Sequence, residues 1–154
     1  MPLYALGDVE PQIDPDAFVH PEATIIGNVV IGPGSTIWPQ AVLRGDQSRI
    51  VIGARTSVQD GAVLHCTREL ETVVGDDCTI GHLAHLEGCT VEDGALVGAA
   101  ALVPGGMEVP SGAMALGVPA KIKPDAVKPV QVTYPASEYQ RNWARYRAEM
   151  RRLD

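Results

Sequence analysis

A chain of 154 residues and 16.3 kDa is sized for one domain, and with 45% hydrophobic and 20% charged residues it is neither disordered nor membrane-like in composition. Aromatic residues make up only 5%, with a single Phe, which excludes an aromatic-anchored core and leaves an aliphatic one. The net charge of −7 is uneven: residues 1–120 hold 4 basic and 15 acidic residues, residues 121–154 hold 8 and 4, so an acidic body with a basic tail argues against a nucleic-acid partner. The tail is expected to meet the acidic body or a neighbouring subunit.

The charge-free stretch Gly94 to Met107 is interrupted by Gly and Pro and predicts no membrane span. Cys66, Cys78 and Cys89 form no CxxC pair and leave an odd thiol. A reducing compartment, and by default a cytoplasmic location, is therefore expected.

In chain order, aliphatic residues recur every six positions at Val19, Ile25, Ile31, Ile37 and Leu43, then at Ile52, Val58 and Leu64, then at Val74, Ile80 and Leu86, and last at Val91, Val97, Val103 and Val109. Four residues after most of them stands a small side chain, among them Ala23, Ser35, Ala41, Thr56, Ala62, Cys78, Ala84, Thr90, Ala95 and Ala101. Two inward positions in every six fit a chain coiling around a narrow axis, three short straight pieces closing one triangular turn. Gly32, Gly53, Gly75, Gly81 and Gly98 follow the aliphatic position, where turns with positive φ are expected. The pattern predicts a parallel β-helix of hexapeptide repeats. A β-sandwich would instead alternate with period two around inward aromatics.

Three places break the period. Leu43 to Ile52 is three residues too long, Leu64 to Val74 four too long, and Leu86 to Val91 one too short. Extra residues in a solenoid are expected to leave it as loops, where function concentrates. The repeat fades after Val109 through Gly117-Val118-Pro119-Ala120-Lys121, and Pro124 and Pro129 mark a linker. The expected organisation is a β-helix over residues 1–120, a linker over 121–136 and a C-terminal amphipathic helix over 137–154. Ser137 and Gln140 supply a capping box, and Tyr139, Trp143, Tyr146, Met150 and Leu153 form a packing stripe.

Positions three hexads apart lie one rung above another on the same face, roughly 4.8 Å apart. Arg44, His65 and Glu87 therefore form one vertical file, and a neighbouring face stacks Gln59 and Asp60 beneath Gly81 and His82. Of the four histidines, His20 stands apart, whereas His65, His82 and His85 share the polar zone between the two insertions. His85 is expected at a turn, pointing elsewhere. His65 and His82 lie on different faces of one prism, so a single metal reaches both only where the file of one subunit meets the Gln59/Asp60/His82 column of the next, as in a trimer.

The segments Val42-Leu43-Arg44-Gly45-Asp46, Val58-Gln59-Asp60-Gly61-Ala62-Val63-Leu64-His65, Ile80-Gly81-His82 and Gly117-Val118-Pro119-Ala120-Lys121 together resemble the γ-class carbonic anhydrases, over about residues 10 to 150. The resemblance implies an all-β fold, a single-stranded left-handed parallel β-helix followed by an α-helix, assembled as a homotrimer. It further implies that His65 and His82 are zinc ligands from adjacent subunits, with iron or cobalt as other metals, and that Arg44 and Asp46 pair across the interface. Gln59 and Asp60 would orient water and a ligand at the metal. The implied chemistry is reversible hydration of CO2 to bicarbonate. Where the family pattern has a third histidine, this chain has Glu87, in Leu86-Glu87-Gly88-Cys89.

Two His and one carboxylate form a known catalytic zinc set, so His65, His82 and Glu87 are the candidate metal ligands. The competing expectation pairs Glu87 with Arg44 and dissolves the metal site. In the loop from Cys66 to Val73, Glu69 is a candidate proton relay, and Cys66 is expected to pack as a small buried side chain. Two other functions fit the repeat: acyl or acetyl transfer with His85 or His82 as base, and a non-catalytic trimeric scaffold or small-molecule binder.

Overall fold

A side chain that must point inward every six residues forces the backbone to bend after each short extended piece, so backbone hydrogen bonds run between successive coils rather than within a hairpin. The computed structural model describes residues 2–154, apart from the side chains of 132–136. Its body is the expected parallel β-helix, with three faces.

One face is a seven-stranded sheet. Its inward column runs Val19, Ile37, Val58, Ile80, Val97 and Ala115, each in parallel register with the next. The second column is Ile25, Leu43, Leu64, Leu86 and Val103. The third is Ile13, Ile31, Ile52, Val74, Val91 and Val109. The strands Thr24–Ile31 and Val42–Ile52 bend from the second face onto the third, which joins those faces into one sheet. Nearly all of these side chains are fully buried, with Ala23, Ala41, Ala62, Ala84, Ala95 and Ala101 filling the corners. In the five-residue step from Leu86 to Val91 the corner place falls to Cys89, which is buried, and not to Thr90, because one residue fewer advances the inward position by one.

The glycines after the aliphatic position answer to a different requirement from the one expected. Positive φ falls two residues later, at Gly34, Arg55, Asp77, Leu83 and Ala100. Gly53 and Gly81 matter because of stacking: a Cβ on Gly53 would lie 2.6 Å from the backbone of Gly75, and one on Gly81 would lie 2.6 Å from the Ala99 nitrogen. Successive coils approach too closely there for any side chain.

The C-terminal segment departs from the expected boundaries. Lys121–Lys123 is a strand, antiparallel to Met114–Leu116, and closes the seven-stranded sheet where a linker was expected. The helix spans Pro129–Glu149, beginning eight residues before Ser137. Pro129 occupies its first turn, where no amide hydrogen is needed, and the Lys128 N–H donates to Gln131 Oε1 at 2.8 Å.

The helix lies along the first face through its aromatic stripe. Trp38 meets Tyr139 and Tyr146 at ring separations of 5.6 and 5.3 Å, and Phe18 stacks on Trp143 at 6.3 Å. Met150 and Leu153 stay exposed. Basic side chains of the tail find partners inside the tail: Arg141 pairs with Glu138, Arg152 with Asp154, and Arg147 lies 5.2 Å over the Trp143 ring. Among the described residues no helix is long and apolar enough to cross a membrane.

Candidate functional site

Because Leu43, Leu64 and Leu86 point inward, the next residue on each strand points out. The register pairs Arg44 with His65 and His65 with Glu87, which forms the expected vertical file. The same alternation carries His85, two residues before Glu87, onto the outer face of the strand His85–Glu87. This overturns the turn position expected for it.

These groups form one continuous polar chain. The Arg44 guanidinium pairs with Asp46 within the protomer. Asp46 Oδ1 lies 2.7 Å from His65 Nε2, His65 Nδ1 lies 2.6 Å from Glu87 Oε1, and Glu87 Oε2 lies 3.1 Å from His85 Nε2. Glu87 thus bridges two imidazoles instead of pairing with Arg44, whose carboxylate partner is Asp46. Partial burial pushes the Asp46 carboxyl up, but hydrogen bonding to His65 and Arg44 outweighs it and holds the group below the usual carboxylate range.

The first insertion does not leave the solenoid as a loop. Val42–Ile52 is one strand, and its register on Thr24–Ile31 shifts so that Gly27 faces Gly45 while Val29 faces Ile50. Residues 46–49 bulge outward and carry Asp46 beside His65. Gly45 is needed at the base of the bulge, since a Cβ there would lie 2.3 Å from the Asn28 carbonyl oxygen. The second insertion stacks on the first. Arg68 Nε donates to Gln47 Oε1 at 3.0 Å, the Ser48 N–H approaches Cys66 Sγ at 3.2 Å, and Arg49 meets Glu71 at 3.4 Å. Cys66 is buried, as expected. Glu69 is exposed and lines a separate groove with Glu71, Gly88 and Met107, away from the His65 contacts.

Gln59, Asp60 and His82 occupy the adjoining corner. Asp60 Oδ2 lies 3.1 Å from His82 Nδ1, with both side chains about half exposed at 51% and 55%. Gln59 is buried, and its amide donates to the Tyr139 hydroxyl of the C-terminal helix. Gln59, expected to help orient water and a ligand at the metal, here lies against the C-terminal helix. Burial pushes the Tyr139 hydroxyl above its ordinary range. Of the residues that contact the candidate site residues, His85 and Tyr139 had no role expected for them there. His85 was recognisable from strand parity with Glu87, whereas no local signal links positions 59 and 139.

Two of the three candidate metal ligands, His65 and Glu87, come together in one protomer, and His82 stands on a separate corner. Among the described residues no three His, Cys, Asp or Glu side chains are grouped to hold a metal. Imidazole nitrogen and carboxylate oxygen are suitable zinc-type donors, so the file fits a metal as a partial set that needs a further donor from outside the protomer.

The two remaining cysteines are structural. Burial pushes the Cys78 thiol to about 11 and the Cys89 thiol to about 12. Iodoacetamide at pH 8 is expected to leave both unmodified in the native protein and to alkylate both in urea, read by peptide mass spectrometry. Native-state alkylation of either would contradict the packing.

Residues 10–45 match the model for bacterial transferase hexapeptide (six repeats). A crystal structure of a hexapeptide transferase family protein from Anaplasma phagocytophilum superposes with a TM-score of 0.75 at 32% identity, covering 97% of this chain and 98% of that one. The chain belongs to the hexapeptide-repeat family. Within that family it is 44% identical over 113 residues to gamma carbonic anhydrase 2, mitochondrial, of Arabidopsis thaliana, a match covering 70% of this chain and 41% of the plant protein. It is also 44% identical over 98 residues to carnitine operon protein CaiE of Escherichia coli O157:H7, covering 64% of this chain and 50% of CaiE. The match spans half or less of the length of these two curated relatives. The similarity to a gamma carbonic anhydrase thus stands beside an equal one to CaiE, and the relatives include a mitochondrial protein as well as a bacterial one.

Proposed function

We propose that this hexapeptide-repeat protein is a metal-dependent γ-carbonic-anhydrase-like hydratase that interconverts CO2 and bicarbonate. The single observation carrying this reading is the file in which His65 contacts Asp46 on one side and Glu87 on the other. The 44% identity to a plant gamma carbonic anhydrase supports it. In the proposed assembly, a homotrimer, the file of one subunit meets His82 of the next, and His65, Glu87 and that His82 would hold the ion. Zinc suits the donors, and iron or cobalt suits them as well. A bound ion supplies the chemistry by acidifying a water and so providing a nucleophile for CO2.

The chain's own residues set the stage for that step. Asp46, tied to Arg44, holds the His65 ring through Nε2, and a bound ion would take the place of the contact between Nδ1 and Glu87. Asp60 holds the His82 ring through Nδ1, so Nε2 is the nitrogen that would bind an ion. Arg44 and Asp46 lie at the rim proposed as the subunit interface. Gln59 anchors the C-terminal helix through Tyr139, and with Asp60 on the same turn it keeps that wall of the site in place. Glu69, on the exposed turn, is proposed to exchange protons with solvent.

Stopped-flow CO2 hydration by protein loaded with zinc, iron(II) or cobalt(II) tests the activity, and rates no better than the free ions would remove it. Light scattering tests the assembly against three times 16.3 kDa. An anionic third ligand makes the activated water less acidic than an imidazole would. Glu87→His is therefore expected to tighten zinc binding and raise the hydration rate about tenfold, the effect of about one pKa unit in that water. Unchanged metal content and rate would contradict the role given to position 87.

A second reading, acyl or acetyl transfer, is favoured by one observation: a solved structure that matches the chain over nearly its full length is a hexapeptide transferase family protein. Acetyl-CoA consumption against a panel of amines and alcohols distinguishes it, with hydration absent and thiol release present.

A further inference from the structure

We infer that His85 is a positioning residue that fixes the carboxylate of Glu87 so that this side chain serves in place of an imidazole; the inference rests on the metal-site reading above. A histidine at position 87 would present a rigid ring. A glutamate has an additional rotatable bond and two equivalent oxygens, so its donor atom must be selected by something outside the side chain. His85 is placed to do this. It stands two residues earlier on the same outer face, because Leu86 between them is fully buried and points in. Its Nε2 lies 3.1 Å from Glu87 Oε2, while Oε1 alone turns down the file to His65 Nδ1 at 2.6 Å.

The polar contacts of His85 run to Glu87, whereas Glu87 reaches both imidazoles. His85 therefore acts on His65 and its ion through the carboxylate and not as a ligand itself. With Oε2 held by His85, Oε1 is the oxygen directed along the file at His65 Nδ1, and a bound ion would take the place of that contact. The second and third rungs then divide the work that two imidazoles would do in the family pattern: His65 contributes a nitrogen, Glu87 an oxygen, and His85 the hydrogen bond that aims it. The side chain of His85 is 41% exposed, so its replacement leaves the packed interior intact.

The test measures zinc affinity by competition with a chromophoric chelator, and the visible spectrum of the cobalt(II)-loaded protein, for wild type, His85→Ala, His85→Leu and His85→Gln. Both loss variants are expected to bind zinc about 10- to 100-fold more weakly and to shift the cobalt band, since a bidentate or rotated carboxylate changes the coordination number. His85→Gln, whose amide can donate at a similar reach, is expected to recover affinity to within about threefold. Thermal midpoints matching wild type separate these effects from unfolding.

Wild-type affinity and an unshifted band in His85→Ala and His85→Leu would overturn the inference while leaving the metal site standing. So would a glutamine variant as weak as alanine. Failure of the wild-type protein to bind zinc or cobalt at all would remove the metal reading and this inference with it.

Discussion

Removing the His65 imidazole by His65→Ala is expected to take the bound metal from about one ion per subunit to background, measured by mass spectrometry of the purified protein after loading. His65 sits at the centre of the file, with Nε2 against Asp46 and Nδ1 against Glu87, so its loss removes a donor and also separates the two carboxylates that flank it. The remaining residues of one protomer, Asp46, Glu87 and His85, include no contact that replaces the bridge. Loss of one of only three protein ligands is the largest single perturbation available to such a site. Hydratase activity is expected to fall to the rate of free metal. The fold should survive, because His65 points away from the interior, with Leu64 beneath it buried. Retention of stoichiometric metal in His65→Ala would show that the ion, if present, binds elsewhere.

The second large effect concerns the interior. Leu64 is completely buried in the second inward column, with Leu43 on the rung below and Leu86 on the rung above. Leu64→Ala deletes a core side chain between two fixed neighbours in a narrow prism, where backbone hydrogen bonds to the adjacent coils prevent collapse into the space. The expected cost is about 2–5 kcal/mol. At this chain length that is a fall in melting temperature on the order of 5–15 °C, read by calorimetry or circular dichroism. The effect should extend to the site, because the strand carrying His65 loses its anchor. A change of about 1 °C or less would mean that position 64 does not face inward, which would displace His65 from its file.

Much of the molecule was legible because a solenoid converts sequence spacing directly into position. Each inward column observed takes every third member of the six-residue series, and the pairing of Arg44 with His65 and of His65 with Glu87 follows from counting residues per coil. Glycine was recognisable as required after Ile52 and Ile80, but its reason was not: the constraint is the approach of the next coil, which lies 17 or more residues away in sequence. Pro129 resembled a linker residue, and only the backbone could show that it starts the helix.

The site divides along the same line. Spacing determined which residues share a face, since inward and outward directions alternate strictly once the aliphatic columns are assigned. It did not determine which neighbours join hands. That Arg44 chooses Asp46, that Glu87 bridges His65 and His85, and that the Gln59 amide meets Tyr139 eighty positions later were decided by side-chain reach and by where the C-terminal helix settles. The physical reason is that a repeating backbone fixes Cβ positions to within a rung. Hydrogen bonds are decided over fractions of an ångström, by torsions and partners that the repeat leaves free.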